Sequence, residues 1–365
     1  MNRFSRIIKK PNIMDKARKI RQRDDFMETR LAWSKIFNHP IPKHANEVTY
    51  TFGGMIIVLG SLQLITGVIL QQFYIPHSEF PGAYESVSKL SENSILLFVR
   101  NLHYWGAQIL LVIALLHMAR VFIAGAYKKP REIQWLAGLG LLILLFSFSY
   151  TGTVLKWDQE GVEGLAHQIG IAQIAGPLGF FLTQDFAPSV SLLTRMYGFH
   201  VTLLPIILVP LLGLHLILIR LNGISSPKIL RDRNLVSSNE ENVRFVTHIK
   251  RMLAYGSVVA LIAIIISIFL PAPLYMRGIE GIEVSKPPWY LLWLYPLENI
   301  FGIKAIAVTS GIIILLLAAV PLADRIEITD PIKRKRMIVA MFSLILIFVF
   351  LLISGSLSPA IQHHS

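Results

Sequence analysis

The amino-acid sequence predicts an all-α integral membrane protein of about seven transmembrane helices, four in an N-terminal bundle and three in a C-terminal part. Three observations predict it. The chain is 53% apolar, with a mean hydropathy of +0.56. Only 16% of its 365 residues are charged, well under the roughly 25% usual in soluble domains. And the apolar residues gather into seven stretches of about 20, the length that crosses a bilayer.

Those stretches run Phe52–Phe73, Ile95–Ala124, Ile133–Leu155, Thr194–Ile219, Met252–Leu270, Ile303–Leu322 and Met337–Gly355. The connections between them reach at most about 40 residues, too short for a soluble domain. The chain therefore divides into an inner-face arm over 1–48, a four-helix bundle over 49–225 and a three-helix part over 226–365.

Charge then orients the spans. The N-terminal segment and the second–third, fourth–fifth and sixth–seventh connections together hold 27 Lys and Arg. The alternate connections hold 4, namely Lys89, Lys156, Arg277 and Lys286. Basic residues collect on the cytoplasmic side of membrane proteins, so the N-terminus is expected inside and the C-terminus outside. The net charge of +13 is thus a topology signal that also attracts anionic membrane lipid, and no nucleic-acid partner is expected. The arm mixes charge with Ile20, Phe26, Leu31, Trp33 and Ile36 and predicts an amphipathic interfacial helix over Asp15–Phe37. It has no apolar core of the kind a cleavable signal needs. With no cysteine in the chain, disulfides, cysteine-held iron–sulfur clusters and covalent c-type haem are excluded on it.

Ionisable groups inside spans are costly and usually functional. The second span carries His103 and His117, 14 residues apart, and the fourth carries His200 and His215, 15 apart. On an α-helix 14 residues return to within about 40° of the starting face, and 15 to about 60°, with a rise of about 21–23 Å. Both spans run outside to inside, so His103 and His200 share one level and His117 and His215 a second. Two imidazoles at each of two heights make two bis-histidine haem sites, with haem iron held axially. A single membrane histidine would more often be a hydrogen-bonded core residue; four at matched levels are not.

Glycines repeat the interval. Gly53 and Gly67 of the first span, and Gly138 and Gly152 of the third, are each 14 apart, and lacking Cβ they allow close, flat approach of a haem. Helix–helix contact between small residues is the alternative use. Arg100, three before His103, and Arg120, three after His117, stand where a cation pairs with a haem propionate or anchors the membrane interface.

The run Arg100-Asn-Leu-His103-Tyr-Trp-Gly106, with His117-Met-Ala-Arg120 and Lys128-Lys-Pro-Arg-Glu132, resembles cytochrome b of the cytochrome bc and b/f complexes. So do Thr151-Gly-Thr-Val-Leu-Lys-Trp157-Asp158-Gln159, Arg195-Met-Tyr-Gly-Phe-His200, Gly223-Ile-Ser-Ser-Pro227 and Pro42-Lys-His44-Ala-Asn46. The resemblance covers about residues 40 to 355. Over the first four helices it is similar to the chloroplast b/f branch, with the later helices fused on as in the bc type and that type's eighth helix missing.

The resemblance implies two haem b groups, one on His103 and His200 near the outer face, one on His117 and His215 nearer the inner face. It implies quinol oxidation outside, quinone reduction inside and net proton translocation, the work of a quinol:cytochrome c (or related acceptor) oxidoreductase. The implied partners are a Rieske iron–sulfur protein, a c-type cytochrome subunit, quinone and lipid, in a homodimeric complex of a bacterial inner membrane. The implied quinol pocket lies between Trp157-Asp158-Gln159 and Pro287-Pro288-Trp289-Tyr290. There the family motif carries a carboxylate where this chain has Pro288, which accepts no proton. Glu283 and Glu298 are the candidates to replace it, with Asp158 a third. Around the inner site Lys43, His44, Asn46 and Arg220 are candidate quinone or propionate contacts. Where the chloroplast branch has a cysteine holding an extra haem, Thr51 stands, so no covalent haem is expected.

Two other classes fit parts of the pattern. A di-haem anchor of another respiratory dehydrogenase or reductase uses membrane histidines but leaves the Pro-Pro-Trp-Tyr loop and the last three spans unexplained. A cofactor-free transporter places isolated ionisable residues at broken helices near mid-membrane, unlike four histidines at two levels.

Overall fold

Backbone groups in a bilayer must satisfy one another, which a helix does along its own length. The computed structural model describes residues 26, 28–30, 32, 35, 37–225, 242–324 and 331–360. Most of the expected amphipathic arm, and the basic residues Lys228, Arg231, Arg233 and Arg325, lie outside them. Among the described residues seven helices are long and apolar enough to cross a membrane. The first four spans are formed by α1 (Phe52–Leu70), α3 (Ser94–Ile123), α4 (Glu132–Leu155) and a composite of α6 (Leu192–Gly198), a π-turn (Phe199–Leu203) and α7 (Leu204–Asn222). The last three are α8 (Phe245–Phe269), α10 (Lys304–Ala323) and α11 (Lys335–Leu357).

Among the described residues three short helices lie between spans: α2 (Ala83–Lys89), α5 (Gln159–Ile174) and α9 (Tyr295–Phe301). The sequence reading gave no account of them, because none carries an apolar run. Two strands, β1 (Pro40–Pro42) and β2 (Asn242–Arg244), pair antiparallel with Pro40 opposite Arg244.

Local chemistry sets the helix ends. The Asn93 side chain accepts from the amides of Ile95 and Leu96 and starts α3. Asp158 caps α5 through the Gly161 amide, and Gly223, at φ 68°, lets the chain leave α7. These are the side-chain acceptors and the left-handed glycine that helix termini call for. The fifth span starts seven residues before its apolar stretch, since hydropathy registers the hydrocarbon crossing and not the helix. Its first turns carry His248, Lys250 and Arg251.

In the bundle α1 packs on α3, α4 on α7, and α8 lies against both α1 and α3. Met55 and Leu59 meet Leu110 and Ile113 between α1 and α3. Asn101 fastens the far end of α8, donating to the Ser267 carbonyl at 3.1 Å and accepting from the Ala272 amide at 2.9 Å.

At the opposite end of the bundle a buried polar cluster joins three elements. Asp324, just past α10, accepts from the Tyr127 hydroxyl at 2.5 Å and Lys128 Nζ at 2.8 Å, both from the α3–α4 turn. Arg334, at the start of α11, donates Nε to the same carboxylate at 2.8 Å and also bonds the Tyr127 hydroxyl. Burial alone would raise the Asp324 carboxyl, but Lys128, Tyr127 and Arg334 hold it below the usual range.

Candidate functional site

Each of the four histidines faces a glycine of the neighbouring helix at its own height. A Cβ on Gly67 would stand 3.3 Å from His103 Cε1, and one on Gly53 3.8 Å from His117 Cε1. On α4, Gly152 stands in the same relation to His200 at 3.3 Å, and Gly138 to His215 at 3.2 Å. The sequence reading set these glycines against the haem plane; in the structure each also leaves room for the edge of an imidazole.

The fourth span resolves the unequal intervals. His200 lies in the π-turn, which takes one residue more than an α-turn. Its cause lies just downstream, since Pro205 has no N–H and its ring would clash with the carbonyl four residues back. Fifteen residues that include one π-turn therefore bring His215 round to the face that 14 α-helical residues give His117. Nothing in a count of residues reveals this, though the proline was visible.

Three of the four rings are held through Nδ1. His103 Nδ1 lies 2.8 Å from Thr66 Oγ1, His200 Nδ1 2.9 Å from Thr151 Oγ1, and His215 Nδ1 3.1 Å from the Gln134 carbonyl. A second partner of this kind fixes tautomer and ring orientation in metal-binding histidines. The His103 and His200 ring centroids are 6.4 Å apart. That gap suits one iron between two metal–imidazole bonds of about 2 Å each plus the two ring radii. His117 and His215 face each other within electrostatic reach. Among the described residues no three His, Cys, Asp or Glu converge as a metal cluster, so an iron here must bring its own equatorial donors, as haem does. The residues fit the group.

A side chain at position 138 should therefore displace the His215 ring. If each level holds a haem, Gly138→Val is expected to lower its content at the His117/His215 level by more than half and to spare the His103/His200 level. Difference spectra of purified complex check this; full occupancy of both levels would refute it.

The two arginines differ. Arg100 donates Nη1 to the Ala272 carbonyl at 2.9 Å and Nη2 to Pro273 at 2.8 Å, holding the loop after α8. Arg120 stacks 3.5 Å over the Tyr50 ring, and its buried Nη2 has no hydrogen-bond partner. An orphaned buried guanidinium nitrogen asks for an anion. Nearby, His44 Nε2 lies 3.3 Å from the Ser225 carbonyl, which also accepts from Tyr50 at 3.2 Å.

At the His103 end the loop residues gather around α5 and α9. Trp157 is buried at φ 51°, a conformation costly for a bulky residue and held by its surroundings. Its carbonyl accepts from the Gly278 amide at 3.2 Å, and the Gln159 amide donates to Met276 at 3.0 Å. The Asp158 carboxylate is fully buried, paired with Lys156 at 3.0 Å and accepting from the Gly161 and Tyr275 amides. It is a structural capping group in this arrangement. Tyr290 is buried with its hydroxyl 3.1 Å from Thr153 Oγ1, and burial pushes that phenol up. Trp289 Nε1 donates to Gln108 at 2.7 Å on α3. Pro287 and Pro288 precede them at the turn that leads into this pair.

The two candidate carboxylates are placed differently. Glu283 lines a cleft of about 390 Å³ with Trp157, Glu163 and Ile282. Glu298, on α9, is buried and meets His167 Nε2 of α5 at 3.0 Å. Burial would lower the His167 imidazole, but the Glu298 carboxylate, the Glu163 carbonyl and the charge of Glu283 raise it to about 9. Sequence reasoning missed His167, although Glu163 and His167 are spaced i, i+4 on one helix. It also missed Glu160, which burial pushes up against the opposing pull of Lys156 at 2.5 Å.

Comparison with known proteins places this geometry. Residues 108–277 match the family described as cytochrome b(N-terminal)/b6/petB. The chain is 33% identical over 216 residues to the menaquinol:cytochrome c reductase cytochrome b subunit of Bacillus subtilis (strain 168), covering 56% of this chain and 96% of that one. It is 35% identical over 198 residues to cytochrome b6 of Heliobacterium modesticaldum, covering 53% and 92%. A cytochrome bc complex cytochrome b subunit of Chlorobaculum thiosulfatiphilum is 29% identical over 333 residues, 86% of this chain and 74% of that one. In fold the chain is similar to a chain of a hyperthermophilic respiratory Complex III, with a TM-score of 0.75, 24% identity and 92% of each chain covered.

Proposed function

The chain belongs to the cytochrome b/b6 family, and from that premise we propose that it is the cytochrome b subunit of a quinol-oxidising complex, holding two b haems. The observation that carries the reading is the two-level set of histidines, each with a facing glycine and three with an Nδ1 partner. When bound, the haems supply a one-electron path between the two levels.

The chain's own residues do the rest. His103 with His200, and His117 with His215, present Nε2 from parallel helices at matched heights. Thr66, Thr151 and Gln134 hold the rings so that no reorientation accompanies electron transfer. Arg120 offers its orphaned nitrogen to a propionate. The alternation of Lys and Arg supports the His103/His200 level as the outer one and a bacterial inner membrane as the setting. Quinol then binds outside, between the end of α4, α5 and the Trp289-Tyr290 turn, where Tyr290 and Trp289 shape the pocket through Thr153 and Gln108. Glu298, buried at the α5–α9 junction, is the proton acceptor that stands in for the missing carboxylate at Pro288. A Rieske iron–sulfur protein and a c-type cytochrome complete the complex as partners, in a dimer.

Redox titration of the purified complex, with pyridine haemochrome content per chain, tests the haem reading. Two b haems titrating separately are expected; one or none would overturn it. Glu298→Gln is expected to slow quinol oxidation by about 10²-fold, the usual worth of a positioned acid–base group, with haem content unchanged. Unaltered turnover in both Glu298→Gln and Glu283→Gln would rule out a carboxylate relay from this loop.

A further inference from the structure

His167 bridges the two walls of the proposed quinol pocket. Its Nδ1 lies 2.7 Å from the Glu163 carbonyl, which fixes the proton there and turns Nε2 toward Glu298 at 3.0 Å. Glu163 is itself locked in place. Its carboxylate accepts from the Val284 and Ser285 amides, the Ser285 hydroxyl at 2.6 Å and Gln159 Nε2 at 2.8 Å. The ring is therefore held to a rigid frame on α5, while Glu298 sits 4% exposed on α9. Of the elements packed around the pair, α5 carries the titratable groups Glu160 and Glu163, the near end of α4 Tyr150, the preceding loop Tyr275, Arg277, Glu280, Glu283, Lys286 and Tyr290, α9 Tyr295, and α10 Lys304 at its start. The facing end of α11, residues 350–357, carries none.

We propose that His167 is the positioning residue for Glu298, its imidazolium aiming the carboxylate at the quinol hydroxyl. This rests on the reading of Glu298 as the proton acceptor. In the step, an O–H bond of quinol breaks and one to a Glu298 oxygen forms. Neither residue is oxidised or reduced, and the electrons leave by the routes of the proposed activity. The charge-assisted bond lasts while the imidazole keeps its proton, so positioning is complete at neutral pH and is lost as the pH rises through about 9. Above that, a neutral ring turns an Nε2 lone pair toward the carboxylate and the hold is released.

The test is the first-turnover rate of haem b reduction by a short-chain menaquinol analogue in purified complex, compared between variants across pH. His167→Gln is expected to be about tenfold slower than wild type near pH 7 and within about twofold near pH 10, because misplacement is costly only while wild type is itself well placed. A ratio constant across pH would reduce His167 to a structural contact and overturn the proposal. Should His167→Gln lose its haem, Glu298→Gln carries the test: the wild-type advantage over it must shrink about tenfold between the same two pH values. A constant advantage refutes the inference. A wild-type complex that does not oxidise quinol would instead sink the reading beneath it.

Discussion

Replacing His103 by Ala is expected to halve the haem content, from two b haems per chain to one, and to abolish electron transfer from quinol. The remaining haem should sit on His117 and His215, which share no side-chain partner with the lost level. His103 relies on Thr66 and Gly67 of α1, His200 on Thr151 and Gly152 of α4. The second level draws on Gly53, Gly138 and the Gln134 carbonyl instead. Pyridine haemochrome assay of the purified variant measures the change, and redox titration identifies the survivor. His117→Ala should give the converse, losing mainly the component of higher potential. If either variant kept both haems, the pairing of the four histidines would be wrong.

The second large effect lies away from the haems. Asp324→Leu is expected to cost about 3–5 kcal/mol, because it removes the carboxylate that neutralises the buried Arg334. The side chains of Asp324 and Arg334 are 3% and 2% exposed and that of Lys128 is 8% exposed. The carboxylate is the shared acceptor that joins the α3–α4 turn to α10 and α11. Its loss should loosen the C-terminal helices from the four-helix bundle, read as a lowered unfolding midpoint in detergent. The sign with pH follows from a carboxyl held low in the fold. The stabilisation is complete above the ordinary aspartate range and is lost as the pH falls through the lowered folded value. Unchanged melting of the variant would show the cluster to be energetically neutral.

Much of this architecture was legible in the sequence. A bilayer makes apolar length and buried charge expensive to disguise, so seven spans and four imidazoles stood out. The glycine interval was legible for the same reason, although the imidazole edge that each glycine faces was not. What stayed hidden depends on contacts between distant residues. His167 and Glu298 come together from α5 and α9, and no spacing rule joins residues so far apart. Tyr127, Lys128, Asp324 and Arg334 are four ordinary loop residues until the fold assembles them. Asp158 was read as a chemical group because its neighbours are distinctive. Its oxygens are taken up by Lys156, Gly161 and Tyr275, a role that only the packed loop reveals.

The π-turn at His200 carries a consequence for how such chains diverge. An extra residue between two histidines need not move either of them, provided a proline nearby lets one turn widen to absorb it. Histidine intervals of 14 and 15 are then two spellings of one distance. The two levels at which haems are proposed to stand are then set alike by α3 and by the composite span, whichever interval is counted.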